Sequence, residues 1–246
     1  MGSFSDRTVI VRGCGKYGDM AYAVASAFAA EGANIVAVGA HADVRDIAHR
    51  LASEAGAEVM PMRLACEDTV AVREAAQAIM ERFGRIDVLV NCALVARAEP
   101  LDATRDEDLE RAFSICAVES FAWMRQCHPH LVQTHGSIIN FGSRLAMQGQ
   151  PGLGMLAAAV EGLAGLSRVA AREWLDDDIN VNVVCARART AQFEQWAHEF
   201  PDALDEACAQ LGRAELSNSY DSLIETCLFL AGEAGHHVTG QVLEVS

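Results

Sequence analysis

Residues 136–174 read GSIINFGSRLAMQGQPGLGMLAAAVEGLAGLSRVAAREW, and the change of pattern inside this stretch decides the fold. Ser137–Phe141 is a short run carrying β-branched and aromatic residues, the composition of a buried strand. From 152 to 175 the chain turns to alanine, leucine, arginine and glutamate, which are good helix formers. A strand followed by a long helix is one unit of a layered α/β chain.

The unit recurs along the sequence. Thr8–Arg12, Asn34–Val38, Glu58–Leu64, Asp87–Val90, Ser137–Phe141, Asn180–Cys185 and Gln241–Val245 read as seven strands. Helical patterns near 19–31, 43–55, 69–83, 106–133, 152–175 and 217–231 separate them. Such alternation predicts a doubly wound, parallel, seven-stranded sheet with helices on both faces. The least regular stretch is 187–212. With no internal repeat or low-complexity linker, 1–246 reads as a single domain. At 246 residues and 51% hydrophobic it can bury one large core.

Composition narrows the partners. A net charge of −15 argues against nucleic acid and against an anionic membrane. No apolar run reaches the roughly 18 residues of a membrane span. MGSFSDRTVIVRG enters a strand without the basic region, apolar stretch and cleavage site of a secretory leader, so the expectation is a cytoplasmic protein. Cysteines 14, 66, 92, 116, 127, 185, 208 and 227 include no C-x-x-C pair and read as reduced, mostly buried thiols. His128, His130, His135, His236 and His237 lack matching carboxylate or cysteine spacing. They read as solvated or capping residues, and no metal is expected.

Residues 136–174 resemble the fifth strand and following helix of the short-chain dehydrogenase/reductase family. FGRIDVLVN, GSIIN, INVNVV and HVTGQVLEV also resemble their counterparts there, so the likeness spans nearly the whole chain. It implies a Rossmann-like fold and hydride transfer with NAD(P). In that family a serine closes the strand, a tyrosine follows 13 residues later, and a lysine four after that. Counting from Ser143 lands on Leu156 and Val160, and GLSRVAARE at the helix end gives the same register.

The chemistry explains the weight of those two positions. Reducing a carbonyl builds negative charge on oxygen, and in this family the tyrosine supplies the proton. The lysine, on the same helical face, lowers the phenol pKa and holds the nicotinamide ribose. Leucine has no proton to give and valine no charge. Cys116, in RAFSICAVES, stands where the family places the asparagine of its tetrad, leaving Ser143 as the lone relic. Tyr17, Tyr22 and Tyr220 all lie off this helix, and Tyr220 is the candidate for a relocated acid.

The cofactor positions diverge too. Gly13, Gly15 and Gly18 form G-x-G-x-x-G between a strand and a helix, a pattern that lets backbone approach a pyrophosphate. Aligned with the family's T-G-x-x-x-G-x-G, however, Arg12 replaces the threonine and Asp19 a glycine. A carboxylate there would oppose a phosphate. Two readings stay open: a rearranged cradle helped by Lys16, the only lysine, or a turn kept for strand-to-helix packing. Gly39-Ala40-His41 encodes no ribose preference, and Ala65 replaces the aspartate that contacts adenine. Asn91 opens N-C-A-L in place of N-N-A-G, and Ala186-Arg187 replaces P-G. Arg12, Arg187 and Arg189 surround the cleft, either filling it and pairing with carboxylates such as Asp19, or binding an anion such as an acyl-CoA phosphate.

The resemblance therefore implies a non-catalytic subunit of a hetero-oligomeric, NAD-dependent dehydrogenase acting on a hydroxyacyl-CoA. No cofactor is expected in this chain; NAD is expected in an active partner subunit. The pattern of losses is similar to the degenerate subunit of the two-subunit dehydrogenases of anaerobic toluene degradation. Two other readings are an independent oxidoreductase with a relocated acid, and a ligand- or acyl-CoA-binding module using the old cleft. Gly152, Gly154, Ala157, Ala158, Ala159, Gly162, Ala164 and Gly165 would allow close helix packing at an assembly surface, or on the chain's own sheet.

Overall fold

Strands β1 (Thr8–Arg12), β2 (Asn34–Gly39), β3 (Val59–Arg63), β4 (Val88–Asn91), β5 (Ser137–Gly142), β6 (Asn180–Ala186) and β7 (Val242–Val245) lie side by side in the computed structural model. Their order is β3-β2-β1-β4-β5-β6-β7, and every neighbouring pair is parallel. The structure describes residues 2–16, 19–64, 69–94, 97–186, 190–211 and 219–245. The seven expected strands are all present. β1, β4 and β5 are buried along their whole length, which is why their sequences run nearly continuously apolar instead of alternating.

Helices cover both faces. On one, α1 (Met20–Ala30), α2 (Val44–Ala55) and α10 (Asp221–Ala231) pack Phe28, Leu51 and Leu230 against Val11 and Phe141. On the other, α3 (Thr69–Phe83), α5 (Glu119–Thr134) and α7 (Gly154–Glu173) pack Ile79, Trp123 and Leu163 against Ile10 and Leu89. The strand order reverses at the β1/β4 boundary, leaving a crevice at the carboxyl ends of these strands.

Two expectations change. The single helix read over 106–133 is α4 (Asp106–Phe113), a π-helical turn at Ser114–Val118, and α5. The stretch 187–212, read as irregular, contains α8 (Ala191–Glu199) and α9 (Pro201–Leu211). These helices are short and acidic, and the apolar anchors Phe193, Trp196, Ala203 and Ala207 hold them down. Helices of this length take their stability from tertiary packing, so periodicity alone does not reveal them. A short α6 (Arg144–Met147) follows β5.

α7, at 20 residues, is by length and composition apolar enough to cross a membrane, but half of that stretch is buried and it packs on β5 and β6 as a core helix. The six described thiols in the core take part in no disulfide. His135 closes α5 in the left-handed region (φ 50), and its Nδ1 lies 3.3 Å from Asp178; His236 lies 3.1 Å from the other oxygen of the same carboxylate. His128 pairs with Asp177 at 2.9 Å. Among the described residues no three metal-ligating side chains gather.

Candidate functional site

Ser143 follows β5 at the crevice and caps α6, its Oγ lying 3.4 Å from the Ala146 amide. Leu156 and Val160 sit one turn apart on α7, 6% and 1% exposed. They belong to a third apolar cluster, apart from the two cores that flank the sheet, with Cys116, Leu153, Phe193 and Trp196. At the places the family likeness assigns to a phenol, an ammonium and an amide, the chain thus presents isobutyl, isopropyl and thiol groups. The Trp196 N–H is committed to the Pro151 carbonyl at 2.8 Å.

The other tyrosines lie elsewhere. Tyr22 donates to the Glu54 carboxylate. Tyr220 precedes α10 and packs against the core beneath α1, not beside Leu156. Burial, then the charge of Asp19, push its phenol pKa upward, the opposite of activation. Tyr17 lies outside the described residues.

The glycine turn is explained largely by close packing. Gly13 has φ +98, and a Cβ there would lie 3.0 Å from the Ala93 nitrogen. Gly13 and Cys14 both donate to the Val38 carbonyl at 3.0 Å, drawing the turn across the end of β2. A Cβ on Gly39 would come within 2.4 Å of the Cys14 carbonyl oxygen. Gly15 faces no such contact; its nearest neighbour is 3.8 Å away. Gly18 and Ala65 lie outside the described residues.

Asp19 does not simply face a cofactor site; it caps α1. Oδ1 accepts from the Tyr22 amide at 2.8 Å and Oδ2 from the Lys16 amide at 3.0 Å. The Tyr22 amide, one of the free donors that a helix N-terminus offers to a phosphate, is met here by the chain's own carboxylate. Burial raises the Asp19 pKa, and the backbone donors oppose that rise. The Lys16 side chain is exposed.

Arg12 pairs with a carboxylate, as one of its two readings expected, but with Glu119 in place of Asp19. Side chains alternate along a strand, so Arg12 shares the face of Ile10 and points beneath the sheet toward α5. It is 1% exposed. Nη2 lies 2.9 Å from Glu119 Oε2 and 3.4 Å from the Ile115 carbonyl, within the π turn. Nη1 donates to Ser120 Oγ at 2.8 Å and to Asn91 Oδ1 at 3.1 Å. Asn91 Nδ2 then donates to Asn140 Oδ1 at 2.7 Å, and Asn140 Nδ2 to Ser167 Oγ at 2.8 Å. Asn91, a candidate cofactor ligand, thus has both ends of its amide engaged in a network crossing β1, β4, β5 and α7. Glu119 was missed by sequence reading, although a carboxylate within the apolar run of RAFSICAVES is the signal for it. Arg187 and Arg189 lie outside the described residues.

Two predictions follow from this packing. Arg12→Met should lower stability by about 3–5 kcal/mol, because it strands a buried carboxylate; Arg12→Met with Glu119→Met should lose much less. Equal losses in urea unfolding would show that the pair itself does not matter. Gly39→Ala should cost about 1–3 kcal/mol through its clash with Cys14, whereas Gly15→Ala should stay within about 0.5 kcal/mol. Urea midpoints of the two variants check this.

The chain matches the family model described as Enoyl-(Acyl carrier protein) reductase over residues 15–246. It is 35% identical to the 12alpha-hydroxysteroid dehydrogenase of a Clostridium species, across 99% of this chain and 96% of that one. It is 30% identical to the meso-2,3-butanediol dehydrogenase of Serratia marcescens, across 98% and 94%. Among solved structures, a blue fluorescent protein from a metagenomic library, in complex with NADPH, superposes with a TM-score of 0.86 at 27% identity, covering 98% of this chain and 97% of that one. The seven-stranded parallel sheet and these likenesses agree, and the chain belongs to the short-chain dehydrogenase/reductase family.

Proposed function

We propose that this member of an oxidoreductase family is the non-catalytic subunit of a hetero-oligomeric, NAD-dependent dehydrogenase. The observation that carries the reading is the burial of Leu156 and Val160 in an apolar cluster that also holds Phe193 and Trp196. Hydride transfer to or from a carbonyl needs a proton donor within hydrogen-bond reach of the reacting oxygen. Leu156 and Val160 supply neither that proton nor the charge that would tune it. The cofactor end supports the same reading, since Asp19 takes up the Tyr22 amide of the α1 terminus and Asn91 is engaged by Arg12 and Asn140.

Binding surface for a partner is abundant. α4 buries only Ala112, and Leu109, Phe113, Val118 and Phe121 are exposed along α4, the π turn and α5. Leu166 and Val169 are exposed on the neighbouring α7. Exposed apolar side chains on adjoining helices favour association. The small residues of α7 serve partly within the chain, because Leu101 lies against Gly154 and the Phe113 ring against Gly162, while Gly165 is open.

The partner in this reading is an active short-chain dehydrogenase subunit that holds NAD in a cytoplasmic heterotetramer. Its substrate class is a hydroxyacyl-CoA. The arrangement is similar to the two-subunit dehydrogenase of anaerobic toluene degradation, which oxidises 2-(hydroxy(phenyl)methyl)succinyl-CoA with NAD and combines a competent with a degenerate subunit. Arg12 is withdrawn from the anion-binding role considered for it, since its guanidinium is sealed against Glu119.

Native mass measurement of the complex from its source should find a second dehydrogenase-like chain at equal stoichiometry. The isolated chain should bind neither NAD nor NADPH at millimolar concentration and should not turn over. Full dehydrogenase activity from this chain alone would sink the proposal and favour a relocated acid; a homo-oligomer holding a small molecule would favour a binding module.

A further inference from the structure

We propose that Cys185 and Met147 form a two-sulfur site for a soft, singly charged metal ion of the copper(I) or silver(I) class, seated against Gly142 at the carboxyl end of β5. The pair lies outside the cluster around Leu156 and Val160, so the site stands apart from the subunit reading. Its test reads metal binding and not dehydrogenase activity, and each idea can fail alone.

Two neighbouring strands and the short helix between them bring the sulfurs together. Cys185 leaves β6 on the side of α7, 1% exposed, in a small cluster with Val183 and Ala164. Met147 closes α6 and packs, half-buried, against the same cluster. The Cys185 thiol donates to the Met147 thioether, with the two sulfurs 3.6 Å apart. A thiolate sits about 2.3 Å from a closed-shell ion such as zinc, so two sulfurs sharing one ion of that size lie at most about 4.6 Å apart. The observed pair is already within that range. Gly142 is what lets the sulfurs meet. A Cβ there would lie 2.7 Å from Cys185 Sγ and 3.7 Å from Met147 Sδ, so both face the space that a side chain would take.

The donors and their surroundings select the ion. Thiolate and thioether are soft ligands, the kind that favours copper(I). Binding exchanges a proton for the metal: the Cys185 S–H bond breaks, a sulfur–metal bond replaces it, a Met147 lone pair makes the second bond, and the proton leaves to water. Burial pushes the Cys185 thiol up to about 12, the Glu161 carboxylate adds to that rise and Arg144 opposes it, so the exchange needs a metal that holds sulfur tightly. A thiolate with a singly charged ion is neutral, which so buried a site tolerates; a doubly charged ion would leave a net charge there. Zinc would also call for four ligands, and among the described residues no three histidine, cysteine or carboxylate ligands gather. Arg144, the cation acting on the thiol, is neutralised by its ion pair with Glu244, and Glu161 is exposed, so the approach favours a cation.

The full chain, carrying methyl-labelled methionine, is titrated with silver(I) and followed by NMR. Other thiols also take silver(I), but the Met147 methyl signal, assigned by its loss in Met147→Leu, reports this site alone. It should move with silver(I), stay still with zinc(II), and stay still with silver(I) in Cys185→Ala. Copper(I) competition against bicinchoninate should show binding at least about tenfold weaker in Met147→Leu, since loss even of a group that only supports a ligand costs about 10–100-fold. A methyl signal that ignores silver(I), or a shift that survives Cys185→Ala, overturns the paired site. A shift with zinc(II) overturns the choice of ion. If Cys185→Ala does not fold, Met147→Leu nearly conserves volume and keeps the thiol, so its copper(I) affinity decides, and an affinity equal to that of the unaltered chain overturns the site.

Discussion

A guanidinium sealed beneath a parallel sheet has to be neutralised, and much of the centre of this molecule is arranged around that requirement. Arg12 ends β1 where the strand order reverses, and its side chain enters the layer between sheet and α5. Left alone it would cost several kcal/mol, a large share of the protein's margin of stability. Glu119 supplies the counter-charge, and Ser120, Asn91 and the Ile115 carbonyl take up the remaining donors. The π turn and the guanidinium fit each other. A π turn shifts the helix hydrogen-bond ladder by one residue, and one carbonyl within it receives Arg12.

Charge is therefore distributed unusually around the crevice. Beneath the sheet, a buried ion pair and an amide relay run from β1 to α7. Farther along the same layer, Leu156 and Val160 lie in an apolar cluster. An apolar pocket without a polar partner is stable only if side chains fill it, because a void forfeits dispersion contacts. Phe193 and Trp196 fill it, and so the identities at 156 and 160 and the docking of α8 belong to one packing solution. At the other end of the crevice Asp19 plays the corresponding part, occupying the α1 terminus with an internal anion.

The sheet was legible in the sequence because buried parallel strands are nearly continuous apolar runs, and all seven appear within a residue or so of their expected limits. The long helices were legible through composition, apart from the break at Ser114–Val118. α8 and α9 were not, since only Phe193, Trp196, Ala203 and Ala207 mark them, and those residues become anchors only against α7. At the site, spacing alone located Leu156, Val160 and Ser143. It could not say that Leu156 and Val160 share a buried cluster with Trp196.

Arg12 shows where the division falls. From the sequence alone came its position before the glycine turn, the absence of a tyrosine and lysine on α7, and the aspartate among the glycines, because these are matters of residue type and spacing. Only the tertiary structure decided that Arg12 turns away from Asp19 and meets Glu119, more than 100 residues on, and that Asp19 caps its own helix. A partner across the fold is set by which face of a strand a side chain leaves from and which helix packs there. Neither is written in local sequence, since both depend on how distant segments are brought together.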